Sequence, residues 1–129
     1  MKLGYTILYV TDVRRSLEFW ERAFGLARRM LDEKGLYAEL ETGPTTLAFV
    51  SQGYVRDMLP GGFRAAQTDE APPPFEVALT TDDVPAAVER AVGAGARRVL
   101  APTKKPWGQT VAYVRDLDGN LVELCTPMS

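Results

Sequence analysis

The chain has no histidine and a single cysteine among its 129 residues. Without histidine there is no general base for nucleophilic catalysis of the Ser/His or Cys/His kind, and the commonest side-chain ligand of transition metals is missing. With one cysteine there is no internal disulfide, and Cys125 stands as a lone thiol. Charge of one sign is also lacking. The 15 basic and 17 acidic residues are interspersed and sum to −2, which leaves no basic stripe for phosphates or for an anionic membrane surface. Neither a nucleic acid nor a membrane is an expected partner. No run approaches the roughly 20 apolar residues that span a bilayer. The opening stretch MKLGYTILYVTD is interrupted by Gly4, Tyr5, Thr6 and Asp12 and does not read as a secretory leader. The expectation is a cytoplasmic, soluble protein. Core material is plentiful: 46% apolar and 25% charged residues are the composition of one ordinary globular domain.

Residues 3 to 10 (LGYTILYV) are aromatic-rich and β-branched and end at Thr11 and Asp12, which suit the cap of a following helix. In 13 to 24, Val13, Leu17, Trp20 and Phe24 recur at helical spacing, and Gly25 can stop the helix in the left-handed conformation. Three short alternating runs follow at about 28 to 33, 36 to 41 (LYAELE) and 45 to 51 (TTLAFVS), with TGP as the turn before the last. The first half reads βαβββ.

The second half repeats it. FEVALT at 75 to 80 is a strand, and Asp82 and Asp83 precede a helix whose Val84, Val88 and Ala91 mirror Val13, Leu17 and Trp20. GARRVL at 95 to 100 echoes LARRML at 26 to 31, and QTVAYVR and NLVELC complete the set through the turn DLDG. The expected fold is α+β: one domain of two βαβββ modules, residues 1–51 and 75–129. Residues 52–74 join them as a long loop rich in Gly, Pro and polar residues. Tyr54, Met58, Leu59 and Phe63 favour a lid over a plain solvated linker, which has little use for four large apolar groups.

This duplicated pattern, with YVTDVRRSLEFWERAFGL, KPWGQTVAYVRDLDGN and LVELCTP in this order, resembles the vicinal oxygen chelate superfamily of glyoxalase I, bleomycin-resistance and extradiol dioxygenase relatives. The resemblance covers nearly the whole chain. It implies sheets curled around a cavity, often with two chains paired so that modules of each complete the site, and hence a homodimer. It also implies a divalent metal held by His, Gln or Glu on the first and last strands of each module. Aligning Asp12 with Asp83 and Ala38 with Ala112 puts those positions on Tyr5, Phe49, Glu76 and Glu123. Phenylalanine and a neutral tyrosine are poor ligands, so the resemblance arrives without its metal centre. No cofactor is expected, although two carboxylates and waters leave room for a weakly held Mg²⁺ or Mn²⁺ at Glu76 and Glu123.

Alternation places Tyr5, Ile7 and Tyr9 on one face of the first strand, and Glu76, Ala78 and Thr80 on one face of its counterpart. Leu121, Glu123 and Cys125 share a face of the last strand, as Leu47 and Phe49 do in module one. The candidate ligand-binding residues are therefore Tyr5, Tyr9, Phe49, Trp107 and Gln109. Glu76 and Glu123 are the candidate acid and base, because two carboxyls in one partly apolar cavity push each other's proton affinity apart. Each has a structural alternative. The acids could be edge charges paired with an arginine such as Arg115, and Trp107 could plug the end of the core. Cys125 reads as an inert apolar residue, and DLDGN as a turn lacking the distal Glu of a calcium loop.

Two functions follow. One is a metal-free protein that sequesters a small aromatic or cationic organic molecule, as bleomycin-resistance proteins confer antibiotic resistance. The other is a glyoxalase I-like lyase or isomerase, or another enzyme of the superfamily, that uses a divalent metal or a glutamate as general base.

Overall fold

The computed structural model describes residues 1–128 and divides the chain into two compact units, Met1–Ala65 and Ala66–Ser129. Among the described residues no helix is long and apolar enough to cross a membrane.

Unit one begins with strand β1 (Tyr5–Val10) and helix α1 (Val13–Phe24). The helix starts where Asp12 accepts a hydrogen bond from the Arg15 amide at 3.1 Å and stops where Gly25 takes φ 69°. Its apolar stripe buries Leu17, Phe19 and Trp20, and Trp20 packs against Phe24 and Phe49 with ring centroids 4.7 and 5.7 Å apart. At roughly 1.5–3 kcal/mol for each large side chain removed from water, this stripe is the main force holding α1 to the sheet. Strands β2 (Ala27–Leu31), β3 (Tyr37–Glu41) and β4 (Thr46–Ser51) complete a sheet in the order β1-β4-β3-β2, with β1 parallel to β4 and the other pairs antiparallel.

The expected loop does not begin after β4. Residues Gln52–Met58 form a short helix, α2, because Ser51 accepts from the Tyr54 amide and Val55 turns into the core. Gly53, a poor helix former, hides this turn from sequence reading. Of the four apolar groups expected in that segment, Phe63 packs edge-on to Tyr9 at 4.9 Å and lies under the Arg56 guanidinium, while Tyr54, Met58 and Leu59 are exposed.

Unit two repeats the arrangement with β5 (Glu76–Thr80), α3 (Val84–Gly93), β6 (Arg97–Lys104), β7 (Thr110–Arg115) and β8 (Leu121–Cys125) in the order β5-β8-β7-β6. Asp83 caps α3 by accepting from the Ala86 amide, with Pro85 in the first turn where its missing N–H has no helical partner. β6 is an edge strand, and its two register shifts and Pro102 blunt it against pairing with another chain. The fold is α+β with two βαβββ modules, as the sequence pattern predicts.

Arg115 has a role that sequence reading missed. Its guanidinium is 4% exposed and donates to three backbone carbonyls: Gly119 at 2.9 Å, Glu70 at 2.6 Å and Gln67 at 2.6 Å. Arg97 adds a bond to the Thr68 carbonyl. The stretch 67–70, expected to be part of a free loop, is thus bolted to the β7–β8 turn, and Arg115 is not the partner of Glu76 or Glu123. The turn itself is structural: Asp116 accepts from the Asp118 and Asn120 amides, and Gly119 takes φ 94°.

Candidate functional site

Strand register decides which side chains share a face. In unit two, Ala78 pairs with Glu123 and Glu123 with Tyr113, while Glu76 pairs with Leu121 and Thr80 with Cys125. Glu76, Tyr113, Glu123 and Cys125 therefore lie on the face turned away from the buried Val122, Leu124, Ala112 and Val114. Tyr113 donates its hydroxyl to Glu123 Oε1 at 2.9 Å.

The two carboxyls are set apart electrostatically. Burial and the hydrogen bond and negative charge of Glu123 push Glu76 above the ordinary carboxyl value, so it keeps its proton to higher pH. Burial alone would raise Glu123 as well. Hydrogen bonds from Cys125, Tyr113 and Glu76, with the nearby positive charge of Lys105, outweigh that and hold it below the ordinary value. The two acids thus influence each other's titration, and Glu76 gives up its proton at a higher pH than Glu123. Tyr113, pushed up to about 12 by burial and by Glu123, stays a neutral donor.

Cys125 belongs to this cluster but not as a nucleophile. It is 4% exposed, and burial followed by its contact with Glu123 raises the thiol to about 11. At pH 8 that leaves about a hundredth of the thiolate of an ordinary cysteine. The folded protein should leave Ellman's reagent essentially unreacted over an hour and release one thiol promptly on denaturation. Fast labelling of the native protein would show the pocket of Cys125 to be open.

In unit one the equivalent face carries Tyr5, Ile7 and Tyr9 from β1, paired with Thr46, Ala48 and Val50, and then Glu39 and Tyr37 from β3. Here the structure corrects an expectation. Phe49 is 0% exposed and pairs with Leu8 and Ala38, so it faces α1 and packs on Trp20. The residue corresponding to Glu123 is Ala48: Glu39 pairs with Ala48 as Tyr113 does with Glu123. Ala38 and Phe49 are partners 11 residues apart, whereas Ala112 and Leu124 are partners 12 apart. The β7–β8 turn is therefore one residue longer, and a constant offset slips by one, which exchanges the faces of a strand.

The same register exposes residues that sequence reading passed over. Glu39 accepts from the Tyr37 hydroxyl at 2.7 Å and pairs with Arg29 at 3.5 Å. The alternation in YAELE signals this, since Tyr37, Glu39 and Glu41 oppose the buried Ala38 and Leu40. Tyr113 was legible in the same way from VAYVR. Of the expected ligand-binding residues, Tyr5 is exposed on unit one and Tyr9 packs on Phe63. Trp107 is 62% exposed on the turn into β7, and its indole donates to Gln109 Oε1 at 2.7 Å. Gln109 in turn donates to the Thr126 carbonyl, which fixes the turn that presents Trp107.

The donor set does not fit the metal that the resemblance implies. Its four positions are a phenol at Tyr5, a methyl group at Ala48, and the two carboxyls of Glu76 and Glu123, which leaves two good ligands of the four. Among the described residues no three His, Cys, Asp or Glu side chains converge as a metal-binding group.

Comparison with solved structures gives the same fold. A glyoxalase-related enzyme from Fulvimarina pelagi superposes with TM-score 0.83 at 20% identity, over 98% of this chain and 88% of that one. A glyoxalase/bleomycin resistance protein/dioxygenase family enzyme from Burkholderia phytofirmans PsJN gives 0.81 at 20% identity, over 98% of both chains. TioX from Micromonospora sp. ML1 gives 0.72 at 26% identity, also over 98% of both. No curated protein matches the chain. The family profile matches residues 2–124, and the chain belongs to the Glyoxalase/Bleomycin resistance protein/Dioxygenase superfamily.

Proposed function

We propose that this protein binds a small organic cation, aromatic in part, without a metal, in the manner of the sequestering branch of its superfamily. The observation that carries the reading is the pair of acids on the helix-free face of unit two, where Glu123 accepts from the Tyr113 hydroxyl and lies on the same face as Glu76 and Cys125. A cation relieves the repulsion between the exposed Glu76 and the half-buried Glu123, where charge is worth more than in bulk water. Trp107, exposed and held by Gln109, supplies a ring face for the cation's aromatic or alkyl part. Tyr5 and Tyr9 offer the same in unit one. Cytoplasmic sequestration by a homodimer, as a route to antibiotic resistance, is the biological form of this reading.

The test is quenching of tryptophan fluorescence by phenyltrimethylammonium in chelator-treated protein. Trp20 is buried in the core, so the ligand-sensitive signal is that of Trp107. Saturable quenching is expected without metal and should disappear in Trp107→Phe. A requirement for added divalent metal would overturn the reading.

One observation favours a second reading. The split proton affinities of Glu76 and Glu123 are those of an acid and a base in one site. Glu123 could remove a proton beside a carbonyl and Glu76 return one to the neighbouring carbon or oxygen, an isomerisation in which atoms and charge balance. Turnover of methylglyoxal hemithioacetal that is lost in Glu123→Gln would support it, and no rate above background would remove it.

A further inference from the structure

Unit one contains a pocket of about 380 Å³ lined by Asp32, Lys34, Leu36, Tyr37, Val50 and Tyr54. This is within the size range of small-molecule sites. It lies at the β2–β3 turn, the end of β4 and the start of α2, and contains none of the residues assigned to cation binding.

The polar groups of the pocket are not equally available. Asp32 Oδ2 accepts from the Lys34 amide at 3.1 Å and the Leu36 amide at 3.3 Å, so its carboxylate is engaged in closing the turn. The Tyr37 hydroxyl gives its proton to Glu39 at 2.7 Å and offers only its oxygen to a ligand. The ammonium of Lys34, exposed at the rim, makes no ion pair or hydrogen bond among the described residues. Tyr54 is exposed on α2, and its hydroxyl is also uncommitted. What remains for a ligand is one cation, one phenol donor, Oδ1 of Asp32, two tyrosine rings and the aliphatic surface of Leu36 and Val50.

We infer that this pocket binds a small aryl carboxylate, its ring between Tyr37 and Tyr54 against Val50 and its carboxylate at Lys34. A ring gains area and quadrupole contact from the tyrosines. The carboxylate meets the uncommitted ammonium, with the Tyr54 hydroxyl available as a second donor. The charge preference is opposite to that of the Glu76–Glu123 pair, so failure of one site leaves the other standing.

The experiment is an amide NMR titration of the whole protein with 4-hydroxyphenylacetate, with p-cresol and tyramine as neutral and cationic counterparts. Saturable shifts centred on Lys34, Tyr37 and Tyr54 are expected for the carboxylate, and weaker ones for the other two. Lys34→Gln should weaken binding about threefold to fivefold, the worth of one exposed ion pair. Lys34→Arg should retain it, and Tyr54→Ala should weaken it about tenfold. Both side chains are exposed, so the variants should fold, and spectra unchanged elsewhere confirm that they do. Tyramine or p-cresol binding as tightly as the carboxylate, shifts centred elsewhere, or no saturable shift would each overturn the proposal.

Discussion

Gly119→Ala should be the most destabilising single-atom-scale change on the surface turns of this protein, lowering the melting temperature by roughly 10 °C or more. Two effects add. Gly119 holds φ 94°, where a Cβ costs about 1–2 kcal/mol. The added Cβ would also stand 2.7 Å from the Gln67 carbonyl oxygen and 2.8 Å from Arg115 Nη2, which real Cβ atoms do not tolerate. Relief requires breaking the Arg115 bonds to Gln67 and Glu70, so stretch 67–70 must detach from unit two. A further penalty of about 1–3 kcal/mol for this overpacking is reasonable. Thermal melting by circular dichroism checks it, and limited proteolysis should show new cleavage within 67–74. An unchanged melt would mean that the bolt contributes nothing to the fold.

Glu123→Gln should reduce affinity for phenyltrimethylammonium about fivefold to tenfold at neutral pH, the loss of one half-buried charge. The substitution removes the carboxylate that stays charged, and with it the charge that raises Glu76. Glu76 should then titrate closer to its ordinary 4.5, which carbon NMR of the side-chain carboxyl would read directly. Glu76, raised in the folded state, favours folding below its ordinary value, and that contribution is lost as pH rises through its folded value. Glu123, depressed, contributes above its ordinary value and loses that as pH falls through its folded value. A stability profile that steepens on both sides of the ordinary carboxyl range is expected, and Glu123→Gln should flatten it. Unaltered cation affinity in Glu123→Gln would remove Glu123 from the site.

Much of this was legible in the sequence. Caps at Asp12 and Asp83, the left-handed stop at Gly25 and the repeat of ARRML in ARRVL are local signals, and local signals determine where elements begin and end. Face assignment within one strand was legible too, which is why Glu76, Glu123 and Cys125 share a surface. Correspondence between modules was not. It depends on the length of a turn, and the extra residue in the β7–β8 connection converts the expected Phe49 into Ala48. The roles of Arg115 and α2 were hidden for another reason. An arginine that satisfies backbone carbonyls leaves no side-chain partner in the sequence, and a helix of seven residues containing Gly53 carries almost no periodic pattern. Tyr113 and Glu39 are legible from alternation, but they sit on β7 and β3, outside the first and last strands where the resemblance places its ligands.

The most direct measurement of the acid pair is calorimetric. Phenyltrimethylammonium is titrated into the protein at a series of pH values from the acid range to neutrality, each in two buffers of different ionisation enthalpy, so that the difference in heat counts protons exchanged on binding. A bound cation favours the ionised form of Glu76, so binding should release protons across the range in which Glu76 titrates and none well above it. Binding heats identical in both buffers at every pH, or proton uptake, would contradict a cation site built on the Glu76–Glu123 pair.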